Sequence, residues 1–184
     1  ATQCLQAAAA VGQSEMMFLY DKLFSEYGVI VSQLLFTYDE LQNPESKTHL
    51  VNTINQLLEY DCLPIMNEND SVSVEELLNG DNDCLSASVA VFSEADLLVL
   101  LTDTDGLYDG NPSENPNAKL IKQVDIIDDN IKSITGSAGA RGTGGFITKI
   151  NAAEIAVSAG VPVVITNGKK PTDIYKILNG RSEE

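Results

Sequence analysis

Three polar clusters in the sequence combine residue types that bind charged small molecules. The first joins Asn67-Glu68-Asn69-Asp70 to Gly80-Asp81-Asn82-Asp83. Asn and Asp are frequent in turns and at helix N-termini, so both halves of this cluster also have a purely structural interpretation. Two such groups at one edge of a fold could instead hold the ammonium group of an amino acid, or orient lysines. An EF-hand is excluded, because the D-x-D-x-D-G spacing with a late Glu is not met.

The second cluster, Thr102-Asp103-Thr104-Asp105-Gly106, directly follows the apolar run Leu97–Leu101. Taken alone, it fits a strand that ends in a turn, with Gly106 in a left-handed conformation. The functional alternative places Thr102 and Asp103 at the carboxyl end of the strand, beside a nucleotide. The residues of this cluster leave both interpretations open.

The third cluster covers residues 141–149 and reads Arg-Gly-Thr-Gly-Gly-Phe-Ile-Thr-Lys. Its glycines and Thr143 precede a predicted helix, where free N–H groups and the positive end of the helix dipole favour an anion. Lys149 follows one turn into that helix and can point back to the same place. The cluster is neither a Walker A motif nor G-x-G-x-x-G. It predicts a phosphate site, with a flexible linker and a surface lysine as the weaker alternative.

Apolar strands and helices alternate along the chain and must position these clusters. The predicted strands cover residues 29–36, 62–66, 97–101 and 161–166. The predicted helices cover residues 2–27, 45–60, 86–95 and 145–159, with a last helix from Pro171, whereas residues 104–143 are mixed and rich in turns. This pattern indicates an α/β fold with a mostly parallel sheet covered on both faces. Ligands bind beyond the carboxyl ends of such strands, where Asn67–Asp70, Thr102–Gly106 and Thr166–Pro171 fall.

Composition and charge exclude several classes of protein. A chain of 184 residues with 43% hydrophobic residues can bury the core of one ordinary domain. A net charge of −16 argues against a nucleic-acid or anionic-membrane surface built on positive charge. Any phosphate must therefore be held locally, by backbone amides, a metal and one or two lysines.

The few histidines and cysteines argue against a histidine-dependent triad, a disulfide scaffold and a zinc site. The single histidine, His49, lies on a predicted amphipathic surface helix, so a Ser-His-Asp triad is not expected. Three cysteines without C-x-x-C spacing argue against a disulfide scaffold or a zinc site and favour reduced thiols. No secretory signal or bilayer-spanning run is visible, so we expect a cytoplasmic protein.

Taken in order, the clusters make the chain resemble the glutamate 5-kinases of the amino acid kinase family. The matching segments are AAVGQS at 9–14, PIMNENDSVS at 64–73, GDND at 80–83, LLVLLTDTDGLYDGNPSENPNAKLI at 97–121 and GTGGFITKINAA at 142–153. The resemblance implies a three-layer αβα sandwich with a mostly parallel sheet. The K-x-G-[ST] turn and T-S-G-A type loop of the family find no match. We therefore expect residues 1–184 to form an amino acid kinase domain that is incomplete at its N-terminus and has no C-terminal PUA domain.

The resemblance also implies a reaction. The γ-phosphoryl group of ATP passes to the γ-carboxylate of L-glutamate, giving γ-glutamyl phosphate in the first step of proline biosynthesis. Mg²⁺ bridges the ATP phosphates and needs no carboxylate ligand from the protein. Another amino acid kinase, such as acetylglutamate kinase, and a non-catalytic remnant that binds nucleotide or proline stay open as alternatives. We further expect proline as a feedback inhibitor and a homo-oligomer, with no nucleic-acid or membrane partner.

The roles of individual residues follow from the same resemblance. Asp70, Asn82 and Asn67 are expected to bind glutamate. Asp83 is expected to orient the lysines that neutralise the transferring phosphoryl group, and Lys149 to be the cationic stabiliser. The residues expected to bind the nucleotide are Thr102, Asp103, Thr143, Gly144, Gly145, Phe146, Ile147, Thr148 and Lys149.

Overall fold

The computed structural model describes residues 2–73, 82–110, 112, 115–136, 146–170 and 172–179. The chain divides into two compact units, Ala1–Leu85 and Ser86–Glu184, and each is described by itself. Within the described ranges, no helix combines the length and apolar character that crossing a membrane requires.

The first unit is built around a pair of parallel strands. Its elements are α1 (Thr2–Ser25), β1 (Ile30–Phe36), α2 (Tyr38–Gln42), α3 (Pro44–Glu59), β2 (Cys62–Glu68) and the start of α4 (Asn82–Phe92). Strands β1 and β2 pair in parallel, in a register that runs from Ile30 opposite Cys62 to Phe36 opposite Glu68. Helix α1 packs on β1 and α3 packs on β2, so helices position both strands.

Local signals fix the helices that follow β1. Thr37 and Glu40 form a capping box at α2, in which the Thr37 backbone N–H donates to Glu40 Oε2 at 2.7 Å. Asn43 Oδ1 accepts from the N–H groups of Glu45 and Ser46, and Pro44 occupies the first turn of α3. Ile54 of α3 is 1% exposed and anchors this helix in the core.

The second unit contains another pair of parallel strands. Its elements are β3 (Leu98–Thr102), α5 (Asp129–Gly136), α6 (Phe146–Ser158), β4 (Val163–Asn167) and α7 (Thr172–Leu178), together with the rest of α4. Strands β3 and β4 pair from Leu98 opposite Val163 to Thr102 opposite Asn167. Helices α6 and α7 pack on β4, and α5 packs on α6.

The parallel strands and mixed α/β composition confirm the predicted fold class, while several boundaries differ from prediction. Strand β2 continues to Glu68, because its last residues pair with the end of β1. Helix α4 begins at Asn82 and not at Ser86, so Asn82 and Asp83 lie in its first turn. Helix α5 lies in the stretch predicted to be turn-rich; Asp128 initiates it by accepting the Ile131 N–H at 3.0 Å. Pro171, the predicted start of the last helix, is outside the described residues.

Candidate functional site

An open cleft of about 210 Å³ lies in the first unit, beside the carboxyl end of β2. Helix α1 contributes Gln13 to its lining and β1 contributes Gln33. The other wall is formed by Glu68 at the end of β2 and by the turn that carries Asp70. The cleft is smaller than the roughly 300–1,000 Å³ typical of pockets for drug-sized ligands. Its size suits a ligand as small as an amino acid.

The turn after β2 holds Asp70 at the edge of this cleft. The Asn69 N–H donates to the Phe36 carbonyl at 3.0 Å, which ties the turn to the end of β1. The Asn69 carbonyl accepts from the N–H groups of Val72 and Ser73, each at 3.0 Å. Asp70 is half-buried and therefore keeps part of its surface available to a ligand.

Three side-chain amides form a chain of hydrogen bonds next to the turn. Asn67 Nδ2 donates to Gln13 Oε1 at 3.2 Å, and Asn82 Nδ2 donates to Asn67 Oδ1 at 3.1 Å. These hydrogen bonds connect α1, β2 and α4. They also fix which end of each amide group donates and which end accepts. We refer to Gln13, Asn67 and Asn82 as the amide chain. Its last link leaves Asn82 Oδ1 oriented as an acceptor on the side away from Asn67.

The structure thus brings Asn67 and Asn82 into contact and places Asp70 three residues beyond Asn67. Gln13 is not among the site residues predicted from the sequence, although it lies in the AAVGQS segment that matches the family. Gln13 Nε2 is shut off from solvent and finds no acceptor among the described residues. Glu68, which lines the cleft and is 3% exposed, was also missed; both of its carboxyl oxygens are shut off from solvent.

Asp83 lies in the first turn of α4 and is half-buried. A carboxylate in this position interacts favourably with the positive end of the helix dipole, so part of its role is structural. His49, by contrast, lies on the outside of α3 with its side chain 75% exposed, 4.0 Å from Glu45 Oε1.

In the second unit, Thr102 and Asp103 lie where β3 ends. Thr102 Oγ1 donates to Asp103 Oδ1 at 3.3 Å, and the Thr102 carbonyl accepts from the Gly168 N–H at 2.8 Å. Gly106 closes the turn with a φ of 146°, which agrees with its predicted positive φ. The positive φ favours glycine there, and a Cβ would lie 3.2 Å from Leu120 Cδ1, so that side chain would have to shift slightly.

Asp105, two residues beyond Asp103, accepts hydrogen bonds from the last residue of β4 and from the loop after it. Asn167 Nδ2 donates to Asp105 Oδ1 at 2.9 Å, and Lys170 Nζ donates to the same oxygen at 3.0 Å. These two donors, the Asn167 amide first, hold the pKa of Asp105 below its usual value. Asp105 is therefore a carboxylate at neutral pH.

The described part of the third cluster forms the first turn of α6. Phe146, Ile147, Thr148 and Lys149 are all half-buried, and Ile150, which follows them, is 3% exposed. The buried Ile150 fixes the rotation of the helix and hence the side on which Lys149 emerges. Thr143, Gly144 and Gly145 lie outside the described residues.

A resident Mg²⁺ does not fit the described residues. Within the part of the chain that the structure describes, no group of three or more His, Cys, Asp or Glu side chains could hold a metal ion. Hard divalent cations require several oxygen ligands, so a magnesium ion here would depend on ligands from elsewhere, such as nucleotide phosphates.

Comparison with known proteins identifies the class to which this fold and these sites belong. The model of the amino acid kinase family matches residues 1–167, and the chain belongs to this family, whose members use ATP. It is 51% identical to a glutamate 5-kinase of Clostridium acetobutylicum over 97% of the chain and 67% of that protein. It is 46% identical to a glutamate 5-kinase of Listeria innocua, over 95% of the chain and 65% of that protein. The resemblance to glutamate 5-kinases is confirmed, and the chain spans about two thirds of the length of these curated relatives.

Solved structures support the fold alone. An isopentenyl phosphate kinase superimposes with a TM-score of 0.56 at 17% identity, covering 94% of this chain and 64% of that one. The UMP kinase of Ureaplasma parvum gives a TM-score of 0.51 at 14% identity, over 88% and 59% of the two chains. At these identities, the shared architecture says nothing about which substrate this chain accepts.

Proposed function

We propose that residues 1–184 act as an amino acid kinase domain that transfers the γ-phosphoryl group of ATP to the γ-carboxylate of L-glutamate. The product is γ-glutamyl phosphate, the first intermediate of proline biosynthesis. The observation that carries the proposal is the 51% identity to a glutamate 5-kinase over 97% of the chain. The cleft beside β2 supports it independently, because it offers acidic and amide side chains in a volume that suits an amino acid.

Glutamate is assigned to this cleft. Its ammonium group pairs with the half-buried carboxylate of Asp70, which lines the cleft. The amide chain supplies donors and acceptors of fixed polarity, with Asn67 and Asn82 nearest the turn that carries Asp70. Neutral amides recognise an α-carboxylate through N–H donors without adding charge. When its ammonium and α-carboxylate groups are bound in this way, the γ-carboxylate of glutamate stays available to react with ATP.

The nucleotide is assigned to the second unit. Thr102 and Asp103 contact it at the carboxyl end of β3, as parallel α/β sheets commonly bind ligands. Residues 143–149 contact its phosphates, and the N–H groups in the first turn of α6 suit an anion. The ATP that binds carries Mg²⁺ on its phosphates, so the ion is part of the substrate.

The transfer needs no nucleophile from the protein. An oxygen of the glutamate γ-carboxylate forms a bond to the γ-phosphorus, and the bond to the bridging oxygen of ADP breaks. Such a reaction is accelerated mainly by positioning and by compensating charge on the phosphoryl oxygens. Lys149 supplies that charge, and Asp83 orients cationic groups around the phosphoryl.

The alternatives from the sequence are less well supported. Relatives at 45–51% identity over at least 95% of the chain are named glutamate 5-kinases, which disfavours acetylglutamate kinase. A non-catalytic remnant, which the unmatched K-x-G-[ST] turn suggests, is not favoured either, because the relatives are named as kinases. Proline shares the ammonium and α-carboxylate groups of glutamate, so we assign it to the same cleft as a feedback inhibitor. A cytoplasmic location and homo-oligomerisation are also part of the proposal.

A comparison of acceptors tests the proposed substrate. The full-length protein is incubated with MgATP and hydroxylamine, which converts an acyl phosphate to a coloured hydroxamate. L-Glutamate is compared with N-acetyl-L-glutamate and L-aspartate. The proposal expects hydroxamate and ADP in equal amounts with L-glutamate, and far less with the others. Faster product formation from N-acetyl-L-glutamate would overturn it.

A further inference from the structure

The loops that follow β3 and β4 are joined by hydrogen bonds that converge on Asp105. Asn167 Nδ2 and Lys170 Nζ both donate to Asp105 Oδ1, at 2.9 and 3.0 Å. These contacts bridge 62 and 65 residues of sequence. We refer to Asp105, Asn167 and Lys170 as the Asp105 clamp. None of these three residues has a role in the proposed reaction. Asn167 and Lys170 belong to the Thr166–Pro171 segment, which the sequence places at the carboxyl end of a strand, where ligands bind.

Backbone hydrogen bonds bring the residues of the Asp105 clamp close together. Thr102 and Asn167 are the last paired residues of β3 and β4, and the Gly168 N–H prolongs the pairing by donating to the Thr102 carbonyl. A Cβ at Gly168 would lie 3.3 Å from Leu101 Cβ, so this close approach favours glycine. The two loops therefore leave the strands side by side.

The polarity of the Asn167 amide is also fixed. Asn167 Oδ1 accepts from the Lys169 N–H at 2.9 Å, which turns Nδ2 towards Asp105. Lys170 adds a positive charge at 3.0 Å from the carboxylate. In a chain with a net charge of −16, this pairing compensates a carboxylate that would otherwise repel phosphates next to Asp103.

We propose that Asp105 is a positioning residue for nucleotide binding, acting through the clamp to hold Thr102 and Asp103 against the loop after β4. This inference rests on the proposed function, in which Thr102 and Asp103 contact the nucleotide. Asp105 itself does not touch the nucleotide. Its loss lets the loop after β3 move away from the loop after β4, so nucleotide affinity falls while glutamate affinity does not.

The test is Asp105→Ala in the full-length protein, with Asp125→Ala as the matched control. Asp125 is an exposed carboxylate of the same unit that accepts one side-chain hydrogen bond, from Gln123. The expected result for Asp105→Ala is a KM for ATP about two- to fivefold higher, the upper part of the range for losing an exposed charged pair. The kcat and the KM for glutamate stay within about twofold, and Asp125→Ala leaves all three constants unchanged.

Two further variants separate positioning from a merely structural role. Asp105→Asn keeps an acceptor oxygen and is expected to retain most of the ATP affinity, whereas Lys170→Met is expected to lose part of it. An unchanged KM for ATP in Asp105→Ala would overturn the inference. A lowered melting temperature together with an equal rise in the KM values for ATP and glutamate would also overturn it. If Asp105→Ala does not fold, the same criteria apply to Lys170→Met.

Calorimetric titration with MgADP distinguishes failure of this inference from failure of the proposed function. The titration does not depend on the acceptor, so it is informative even for a protein that does not phosphorylate glutamate. Weaker MgADP binding by Asp105→Ala, by about the same two- to fivefold factor, supports the clamp. Equal MgADP affinity in the variant and the parent protein contradicts the clamp while leaving glutamate phosphorylation to its own assay.

Discussion

Asn67 is the central link of the amide chain, so its truncation gives the most specific prediction for the glutamate site. Asn67→Ala removes the donor to Gln13 Oε1, at 3.2 Å, and the acceptor for Asn82 Nδ2, at 3.1 Å. Both lost bonds are neutral side-chain hydrogen bonds, each contributing a net of about 0.5–1.5 kcal/mol. If the whole of this loss, about 1–3 kcal/mol, is taken from glutamate binding, the KM for glutamate rises about 5- to 150-fold, which is the upper limit of the expected effect.

The assay is steady-state kinetics with each substrate varied in turn. The KM for ATP is expected to stay within about twofold, because we propose that Asn67 binds groups of glutamate that do not react. Asn55→Ala is the control; it removes an exposed asparagine from α3 in the same unit and is expected to change neither constant. An equal rise in both KM values would refute the reasoning and reduce Asn67 to a structural role.

A double-mutant cycle isolates the link between Asn67 and Gln13. Gln13→Ala alone is expected to raise the KM for glutamate, because Asn67 then loses the acceptor that orients it. The double variant is expected to lose less than the sum of the two single variants, with a coupling energy of about 1 kcal/mol. Additive effects would show that the hydrogen bond does not couple the two residues in function.

The remaining predictions concern charge compensation and the core. Lys149→Met is expected to lower kcat by about 10²–10³ with little change in the KM for glutamate, since the charge acts on the transition state. Rapid-quench measurement of the transfer step checks this, and a change confined to KM would exclude the role. Ile54→Ala is expected to lower the free energy of unfolding by about 2–5 kcal/mol in urea titrations, because Ile54 is 1% exposed. Leu58→Ala, at a 54% exposed position of the same helix, is expected to cost less than about 1 kcal/mol, and equal losses would contradict the packing of α3.

Regular structure was predictable where a short local pattern determines it. The β-branched and apolar runs located the cores of all four described strands, and their continuous hydrophobicity indicated parallel pairing. Local polar signals were harder to interpret. The run that includes Asn82 and Asp83 is typical of a turn and of a helix N-terminus alike. It forms the first turn of α4, where Asn82 bonds to Asn67 and Asp83 interacts favourably with the helix dipole.

Site residues that depend on distant contacts could not be predicted. Gln13 meets Asn67 across 54 residues, and Asp105 meets Lys170 across 65. Neither glutamine nor an exposed carboxylate has a periodic pattern that signals such contacts. A family resemblance identified the residues of the motifs themselves, Asn67, Asp70 and Thr102 among them, but not the side chains that orient them.

The most direct measurement follows an oxygen atom from glutamate to phosphate. L-Glutamate labelled with ¹⁸O at both γ-carboxylate oxygens is incubated with the full-length protein, MgATP and hydroxylamine, and the released phosphate is analysed by mass spectrometry. If the γ-carboxylate attacks the γ-phosphorus of ATP, hydroxylamine then cleaves the acyl carbon–oxygen bond and the released phosphate carries one ¹⁸O atom. Unlabelled phosphate, or ADP formed at the same rate without glutamate, would contradict the proposal that this chain phosphorylates the side chain of glutamate.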